Sequence, residues 1–346
     1  MKRIAIGTYW MAIALLMPVL LLSQQAFGES RTAVIKNTVA RTDTDGNIID
    51  AHDGCLEFFD GKFYLYGTRY GRTDGFTRAN RYVCYSSADL IQWRFHGEIL
   101  NDPPEMVFYY RAYVKFHPKT KKYVAWYNWY PKLWNGQYGV AVSDSPAGPF
   151  LIQDNSVKVK HAKPGDLGLF VDDDGSAYLI YTSIAKNHGI SVEKLSDDYL
   201  SSTLENSGIF AEGCEAPALF KKDGVYYALF DVCCYFGPDG SGARVYTAKT
   251  PLGPYTMRGN INRDGNGKII VPAQQTHVAG IPGLEGIQYI WMGDLWGSSK
   301  DRVKGHDLQY WSGPLQFDES GMIKTLVRED SVTLTLPNKP DAGGGK

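Results

Sequence analysis

The sequence predicts an all-β fold, a five-bladed β-propeller, because one hairpin pattern recurs five times and no segment has a convincing helical pattern. Each repeat has an apolar or aromatic strand, a turn and a second aromatic strand. The five segments are CLEFFDGKFYLYG, YVKFHPKTKKYVAWY, LGLFVDDDGSAYLIY, APALFKKDGVYYALF and HVAGIPGLEGIQYIWMG. Their turns centre near Gly61, Thr120, Gly175, Gly224 and Gly286. Asp-Gly, found in three of them, is a strong hairpin signal.

A second turn and a polar outer strand follow the first four hairpins, in YSSADLIQWRF, VAVSDSPAGPFLI, VEKLSDDYLSS and YTAKTPLGPYTM. The fifth repeat ends in YWSGPLQFDESGMI. Successive hairpin turns are about 49 to 62 residues apart, a spacing typical of four-stranded propeller blades. A β-sandwich also has many short strands between turns, but five recurrences of the whole unit favour the propeller. Residues near 30 to 50 are expected to close the ring by pairing with the last blade.

The two ends of the chain are expected to lie outside this domain. Residues 1–28 have two early cations, a long apolar run and a small-residue site at Ala26-Phe27-Gly28, which is typical of a secretory signal peptide. An uncleaved membrane anchor is the alternative, because the apolar run approaches the roughly 20 residues that span a bilayer. We expect export to the periplasm or the exterior, with residues 29–335 as one monomeric domain, free of the membrane after cleavage. Residues 336–346 are expected to be a disordered tail.

Composition excludes one class of partner. The chain has 346 residues, 44% of them hydrophobic and 21% charged, with a net charge of −1, so it can bury a large core but lacks the basic surface of a nucleic-acid binder. Aromatic residues make up 13%, which suits either an all-β core or a surface that stacks on flat ligands.

Five cysteines matter because export leads to an oxidising compartment. If Asp223-Gly224 is a two-residue hairpin turn, Cys214 lies across from Cys233 in the paired strands. This pairing would allow a cross-strand disulfide between them. Small buried thiols are the alternative. The chain has no CxxC spacing, so the sequence predicts no zinc site.

Ionisable residues begin the inner strands. In a propeller the innermost strand of each blade lines the central channel, and the residues that begin these strands cluster at one mouth. Counting back eight or nine residues from each turn gives Asp53, Arg111, Asp166, Glu215 and His277. Buried charges lose hydration and repel one another unless they are arranged for a purpose. The pattern predicts a catalytic site, and a structural ion-pair cluster at the axis is the alternative.

Facing carboxylates without a metal cluster or cofactor indicate glycoside hydrolysis, in which one carboxyl protonates the leaving oxygen and the other activates water or attacks. A gap of roughly 6.5–9.5 Å across the channel mouth leaves room for a water and predicts inversion of the anomeric centre. Glu215 suits the acid, because its neighbours in the chain are apolar and a nearby Asp166 raises its pKa further. Asp53 is then the base.

Three segments resemble motifs of the family 43 glycoside hydrolases. DGCLEFFDGKFYLYG looks like the first-blade motif, with Asp53 at the base position and Gly54 where Pro is usual. GDLGLFVDDDGSAYLIY is similar to the third-blade motif and implies that Asp166 tunes the acid. EAPALFKKDGVYY is similar to the fourth-blade motif and implies that Glu215 is the general acid. The resemblance covers roughly residues 45 to 320 and implies a glycosidase that requires no cofactor.

Within the family the chain is most similar to the exo-β-1,3-galactanase-like branch, through DTDGNIIDAHDG, AVSDSPAGPF, PAQQTHV and YIWMGDLW. Members of that branch typically have Gly where this chain has Asp53, and Glu where this chain has Tyr110. In them a Gln, matched here by Gln274, positions the water, so the resemblance implies that either Asp53 or Gln274 activates it. Arg111, Gln274 and Tyr110 are expected to bind substrate or position the water.

Other residues carry weaker expectations. His277 resembles the position where family members hold a water-ligated calcium, and a hydrogen-bonded axial His is the alternative. The segment VDDDG at 171–175 is expected to be a hairpin turn rather than a calcium loop, because it lacks the later ligands. Four tryptophans follow inner strands and are expected either to rim the pocket and stack on sugar rings or to pack between blades: Trp126, Trp129, Trp134 and Trp296.

The sequence therefore predicts an exported, exo-acting, inverting glycoside hydrolase that removes terminal arabinofuranosyl, xylosyl or galactosyl residues from plant or microbial polysaccharides. An exo-β-1,3-galactanase is one alternative. A carbohydrate-binding propeller without turnover is another, favoured by the substitutions at Asp53 and Tyr110.

Overall fold

The computed structural model describes residues 30–337 and confirms the five-bladed β-propeller. The predicted signal peptide at residues 1–28 lies outside the described residues. Within residues 30–337 no helix is long and apolar enough to cross a membrane.

The strands group into blades in chain order. Strand β1 (Ser30–Lys36) precedes the blades. Blade 1 contains β2 (His52–Phe59), β3 (Lys62–Arg69), β4 (Arg81–Ser87) and β5 (Arg94–Glu98). Blade 2 contains β6 (Leu100–Asn101), β7 (Phe108–His117), β8 (Lys122–Tyr130), β9 (Gln137–Ser143) and β10 (Phe150–Asp154). Blade 3 contains β11 (Pro164–Val171), β12 (Ala177–Ser183), β13 (Gly189–Leu195) and β14 (Ser202–Asn206).

Blade 4 contains β15 (Cys214–Lys222), β16 (Val225–Val232), β17 (Arg244–Ala248) and β18 (Thr256–Asn260). Blade 5 has three strands, β19 (Gln274–Gly283), β20 (Gly286–Leu295) and β21 (Leu308–Pro314). Strand β22 (Ser331–Pro337) follows. Two short 3₁₀ helices span Ile184–Lys186 and Lys304–His306. Neighbouring strands within the blades are antiparallel, except that β6 pairs in parallel with β10 at the outer edge of blade 2.

The predicted hairpin turns form as the sequence indicates. Asp60 and Gly61 both have positive φ, 48° and 78°, between the paired residues Phe59 and Lys62, which is the backbone of a type I′ turn. The segment VDDDG is also a turn, because β11 pairs with β12 on either side of it. Asp-Gly thus lies in the turns that set the register of the hairpins in blades 1 and 3.

The five inner strands surround the channel and share one irregularity. Strands β2, β7, β11, β15 and β19 contact one another in a closed ring. Each has a shift in its pairing with the next strand close to its beginning. At three of these bulges a residue other than glycine has left-handed backbone: Asp53 at φ 56°, Arg111 at φ 58° and Ala216 at φ 53°. Such bulges re-aim side chains, here at one end of the ring.

Gly54 lies in the bulge of β2 and packs against β3. It stands where the first-blade motif described above usually has a proline. A Cβ atom at this position would lie 1.6 Å from the backbone oxygen of Tyr66. Only glycine fits this backbone, so the residue that follows Asp53 is fixed by packing.

Ring closure differs in detail from the prediction. Strand β1 pairs with β22, from Ser30 opposite Pro337 to Lys36 opposite Ser331, and not with a strand of blade 5. Asn37 links this segment to blade 5, since its Nδ2 donates to the Trp311 oxygen at 2.9 Å and its Oδ1 accepts from the Trp311 N–H at 3.0 Å. Arg41 adds a second link, from Nη1 to the Gln309 oxygen at 2.8 Å. Leu336 and Pro337, assigned by the sequence to the tail, belong to β22. The rest of that tail lies outside the described residues.

The cross-strand disulfide compatible with the sequence does not form. Cys214 lies opposite Val232, because the bulge in β15 adds one residue and shifts the register beyond it. Cys233 is bonded instead to Cys234, and Cys214 is a buried free thiol like Cys55 and Cys84.

Candidate active site

One pocket opens where the five inner strands begin, and each strand contributes one polar side chain to its wall. The cavity volume is about 210 Å³, below the range of roughly 300–1,000 Å³ that is usual for sites binding drug-sized molecules. The polar contributors are Asp53, Arg111, Asp166, Glu215 and Gln274. The fold therefore brings together the three carboxylates predicted from blades 1, 3 and 4.

The contributor from blade 5 is Gln274 and not His277, which corrects the sequence prediction. Gln274 is the first residue of β19, and His277 lies further along the same strand, away from the pocket wall. Gln274 lies ahead of the pairing shift in β19 and pairs with Asp294, as Glu215 lies ahead of the shift in β15 and pairs with Asp231. The shift in β19 lies further from its turn, so the fixed count reaches only His277 and stops short of the mouth.

Glu215 is half-buried at the start of β15, and one of its carboxyl oxygens is already engaged. Oε1 accepts hydrogen bonds from the Tyr235 backbone N–H at 2.6 Å and from Gln274 Nε2 at 2.9 Å. Within the described residues no protein group hydrogen-bonds Oε2, so this oxygen is available to carry a proton. Burial, and next the nearby Asp166 carboxylate, raise the pKa of Glu215 to about 8.

Asp166 connects two neighbouring strands through its two carboxylate oxygens. Oδ1 accepts from Arg111 Nε at 3.0 Å, and Oδ2 accepts from the backbone N–H of Ala216 at 3.0 Å. Because Ala216 follows Glu215 directly, Asp166 holds the backbone that aims Glu215. Asp166 thus influences Glu215 through both geometry and charge.

Asp53 is buried at the bulge of β2, with 5% of its side chain exposed. Burial raises its pKa to about 6, against the lowering effect of Arg111, whose Nη2 lies 3.7 Å from Oδ1. The Asp294 carboxylate raises this pKa, and the Tyr70 hydroxyl, which donates a hydrogen bond to Oδ2, lowers it. Asp53 therefore ionises at a lower pH than Glu215.

Arg111 and Tyr110, both expected to bind substrate, line the pocket but are held by protein groups. The Arg111 guanidinium is 1% exposed and bridges Asp53 and Asp166. The Tyr110 hydroxyl donates to the Gly75 oxygen at 2.9 Å. The guanidinium accordingly pairs with both carboxylates. An ion-pair cluster is therefore present at the predicted catalytic position, so the two interpretations of the sequence do not exclude each other.

Further polar residues behind the pocket were missed by the sequence analysis. Asp294 accepts the Asp53 backbone N–H at 2.8 Å and binds His52 Nδ1 at 2.9 Å. Burial opposes charge on His52, but Asp294 outweighs it and raises the pKa of His52 to about 9. Asp231 lies opposite Glu215 in the ladder, and burial together with the Glu215 charge holds the pKa of Asp231 well above its usual value.

A sequence signal for these residues exists. Asp231 and Asp294 are each the penultimate residue of the second strand in their hairpin, in YYALFD and YIWMGD. Thr68 has the same place in β3, and its hydroxyl oxygen accepts the backbone N–H of Arg111 at 3.1 Å. Polar residues at the end of otherwise apolar strands therefore mark partners of the inner bulges.

Aromatic side chains from the loops and from β7 and β8 form the outer wall. They are Phe76, Tyr110, Tyr130, Trp134, Tyr235 and Phe236. Trp134 is 54% exposed, and Phe76 and Phe236 pack together with ring centroids 5.2 Å apart. The phenylalanines come from irregular segments without a repeat pattern, which is why the sequence analysis missed them.

Three of the four tryptophans that follow inner strands lie away from the pocket wall. Trp126 is fully buried in the core, and its Nε1 donates to the Tyr199 oxygen at 2.7 Å. Trp296 is 2% exposed and donates to Gln274 Oε1 at 2.7 Å, so it orients Gln274 from behind. Trp129, which donates to the Asn155 oxygen, is also absent from the pocket wall. All four tryptophans follow inner strands, so their position in the sequence could not show that Trp134, unlike the other three, lines the pocket.

His277 is buried on β19 beyond the pocket wall, and within the described residues its Nδ1 has no hydrogen-bond partner. Its ring packs against Tyr113 at 5.5 Å, and its Nε2 lies 3.9 Å from Glu57 Oε1. That carboxylate is already paired with Lys115 Nζ at 2.6 Å. Burial, and next the Lys115 charge, lower the pKa of His277 well below its usual value. Calcium prefers about 6–8 oxygen ligands, which waters would supply in the water-ligated site that the resemblance implies, so a calcium at His277 stays a prediction.

Comparison with known proteins gives consistent relatives. An arabinoxylan arabinofuranohydrolase of Bacillus subtilis is 27% identical over 315 residues, covering 72% of this chain and 58% of the relative. The β-D-galactofuranosidase xynD of Aspergillus niger is 26% identical over 225 residues, covering 57% of this chain and 61% of the relative. The chain thus spans less than two thirds of these curated relatives.

Solved structures match more completely. A family 43 β-1,3-galactosidase solved with galactodeoxynojirimycin is 29% identical, with a TM-score of 0.75 over 86% of this chain and 99% of that one. An exo-β-1,3-galactanase from Clostridium thermocellum is 26% identical, with a TM-score of 0.75 over 89% of this chain and 69% of that one.

The sequence model named Glycosyl hydrolases family 43 matches residues 60–262, more than half of the chain. That match covers blades 2 to 4 and most of blade 1, and so includes Asp166 and Glu215. The chain belongs to glycosyl hydrolase family 43.

Proposed function

We propose that the protein is an exo-acting, inverting glycoside hydrolase with Glu215 as general acid, Asp53 as general base and Asp166 as the residue that orients and tunes Glu215. One observation carries the proposal: two carboxyl groups in one pocket have separated pKa values, about 8 for Glu215 and about 6 for Asp53. Near neutral pH the first is protonated and the second ionised, as acid–base glycoside hydrolysis requires. The signal-like residues 1–28 support export.

In this mechanism Glu215 gives its proton to the glycosidic oxygen as the bond breaks. Asp53 takes a proton from a water that attacks the anomeric carbon from the opposite face, so the configuration inverts. Arg111 and Asp166 link the two carboxyls through a chain of contacts that ends at Ala216. These intervening groups support separate positions for acid and base. The chemistry needs only side chains and water, so we propose no cofactor.

Asp53 is a better candidate for the base than Gln274. The Gln274 amide is already held at both ends, since Nε2 donates to Glu215 and Oε1 accepts from Trp296. An amide also cannot accept a proton near neutral pH, whereas an ionised Asp53 can. We therefore assign Gln274 to holding Glu215 Oε1.

The substrate class follows from the pocket and from the comparisons. A single pocket with aromatic walls supports binding of one terminal sugar, with its apolar face against a ring such as Trp134. The solved relatives at 29% and 26% identity are named a β-1,3-galactosidase and an exo-β-1,3-galactanase, so β-1,3-linked galactosyl ends are the first candidate. The curated relatives make arabinofuranosyl ends the second candidate.

The first test is a product assay on galactosyl, arabinofuranosyl and xylosyl aryl glycosides and on β-1,3-galactan. We expect release of single sugars from chain ends, with the galactosyl substrates cleaved fastest. Proton NMR during the first turnovers is expected to show the inverted anomer before mutarotation. Retention of configuration would contradict the assignment of Asp53 as base, and binding without release across the panel would favour a carbohydrate-binding propeller.

The roles of the two carboxyls are separated by leaving-group dependence. Glu215→Ala is expected to lower kcat about 10²–10⁴-fold on natural glycosides but much less on aryl glycosides whose leaving group needs no proton. Asp53→Asn is expected to lower both to a similar extent, because the water still needs a base. Steady-state kinetics on matched substrates measures this. If Glu215→Ala loses equal activity on both substrates, Glu215 is not the acid.

The pH dependence follows from the two pKa values. On natural glycosides kcat/KM is expected to rise with pH through about 6, as Asp53 ionises, and to fall through about 8, as Glu215 loses its proton. On activated aryl glycosides the fall at high pH is expected to weaken, because no proton is needed. A profile still rising above pH 9 on natural glycosides would exclude a protonated Glu215 as the active form.

Tyr70 provides a selective probe of the base. Tyr70→Phe removes a hydrogen bond that favours ionised Asp53, so the pKa of Asp53 is expected to rise and the acidic limb to move up by about 1 pH unit. Tyr110→Phe is the control, since its hydroxyl binds the Gly75 oxygen, and it is expected to leave that limb in place. Equal shifts in both variants would mean that general loosening of the pocket, and not the Tyr70 hydroxyl, sets the limb.

A further inference from the structure

A second group of chemically reactive side chains adjoins the proposed acid. Donor atoms of His188, Glu215, Cys233 and Cys234 all lie within 4.8 Å of one another. Cys234 lines the active-site pocket and is exposed, and its Sγ lies 3.6 Å from His188 Nε2. One imidazole, one carboxylate and two sulfurs therefore meet at one side of the pocket.

Backbone hydrogen bonds hold the three segments that carry these side chains. The Cys214 N–H donates to the His188 oxygen at 3.0 Å, which ties the loop after the first 3₁₀ helix to the start of β15. The Cys233 N–H donates to the Gly213 oxygen at 2.9 Å, which ties the end of β16 to the same point. The cluster is thus fixed by the junction of blades 3 and 4 and does not depend on flexible side chains meeting by chance.

The ligand types match a soft or borderline divalent metal. Zn²⁺ is bound tetrahedrally by thiolate sulfur, imidazole nitrogen and carboxylate oxygen, with bonds of about 2.0–2.3 Å and hence ligand atoms about 3.3–3.8 Å apart. The four donor atoms already lie within 4.8 Å of one another, so small side-chain shifts and separation of the two sulfurs are enough to reach such a geometry.

We propose that Cys233 and Cys234, in their dithiol form, bind Zn²⁺ together with His188 and Glu215, and that the disulfide between the two cysteines prevents this binding. Because Glu215 is the proposed general acid, the metal would also remove it from catalysis. This second part rests on the proposed function, whereas the metal site itself does not.

The redox step balances with a dithiol as reductant. The Cys233–Cys234 S–S bond breaks, the reductant's two thiols become a disulfide, and their two protons pass to the two Sγ atoms. Zn²⁺ then displaces these thiol protons, and that of Glu215 where it is protonated, into solvent. Exposure of Cys234 at the pocket gives the reductant access. The site is therefore closed in the oxidised protein and open in the reduced one.

The binding test compares the two redox states of the whole chain. Protein is reduced with a dithiol under anaerobic conditions, the dithiol is removed by gel filtration, and Zn²⁺ is titrated in competition with a coloured chelator. We expect one Zn²⁺ per reduced chain, bound at least about 100-fold more tightly than by the oxidised chain. Co²⁺ in place of Zn²⁺ is expected to give thiolate charge-transfer absorption. Equal affinity in both states, or Co²⁺ without that absorption, overturns the proposal.

Variants identify the ligands. Cys234→Ser and His188→Ala are each expected to lower the Zn²⁺ affinity of the reduced protein at least about 10-fold. Cys214→Ser is the matched control, because this neighbouring cysteine is outside the donor set, and it is expected to bind as the unaltered protein does. Circular dichroism checks that each variant is folded. Unchanged affinity in folded Cys234→Ser and His188→Ala proteins overturns the assignment.

Activity measurements then address the second part. Zn²⁺ is expected to abolish glycoside hydrolysis by the reduced protein, to leave the oxidised protein unaffected, and to be reversed by a chelator. Tight binding with unchanged hydrolysis would overturn the capture of Glu215. A protein that hydrolyses no glycoside would contradict the proposed function, while the Zn²⁺ titration would still decide the metal site.

Discussion

The pairing of one buried guanidinium with two carboxylates is the interaction on which the rest of the pocket depends. Arg111 is 1% exposed and contacts both Asp53 and Asp166, which come from different blades. A buried charge without a partner costs several kcal/mol, so none of these groups is stable in place without the others. The three lie on the inner strands of the consecutive blades 1, 2 and 3, so they meet only when these blades pack side by side. Assembly of the ion pairs therefore depends on the packing of these three blades.

The two proposed catalytic carboxyls differ because of their neighbours and not because of their chemical type. Burial raises the pKa of both Asp53 and Glu215. Asp53 regains ionisation through Arg111 and the Tyr70 hydroxyl, whereas Asp166 opposes ionisation of Glu215. Arg111 also lowers the pKa of Glu215, but its effect is smaller than those of the Asp166 charge and the Tyr235 hydrogen bond. A single cation placed near one carboxyl thus divides the roles of acid and base.

The sequence repeats were enough to predict the hairpins and the residues at the channel mouth. Asp-Gly turns set the hairpins, and residues at a fixed distance before them, such as Asp53 and Glu215, mark the channel mouth. The errors arose where a local irregularity changes that distance. The bulge in β15 places Cys214 opposite Val232 instead of Cys233, and a bulge further from the turn in β19 places Gln274 instead of His277 at the pocket. The phenylalanines of the outer wall come from loops, whose conformation has no periodic signal.

The surroundings of Glu215 also explain why an acid site can be open to a metal. A general acid needs a partly buried carboxyl, and within the described residues Glu215 Oε2 has no protein partner. Zn²⁺ accepts carboxylate oxygen as a ligand, and an imidazole and two thiolates beside it complete the set. No CxxC motif marks this arrangement, because its ligands come from three segments joined by backbone hydrogen bonds. The sulfur–sulfur bond of Cys233 and Cys234 occupies both thiolate positions at once, so the oxidation state decides which chemistry is open to Glu215.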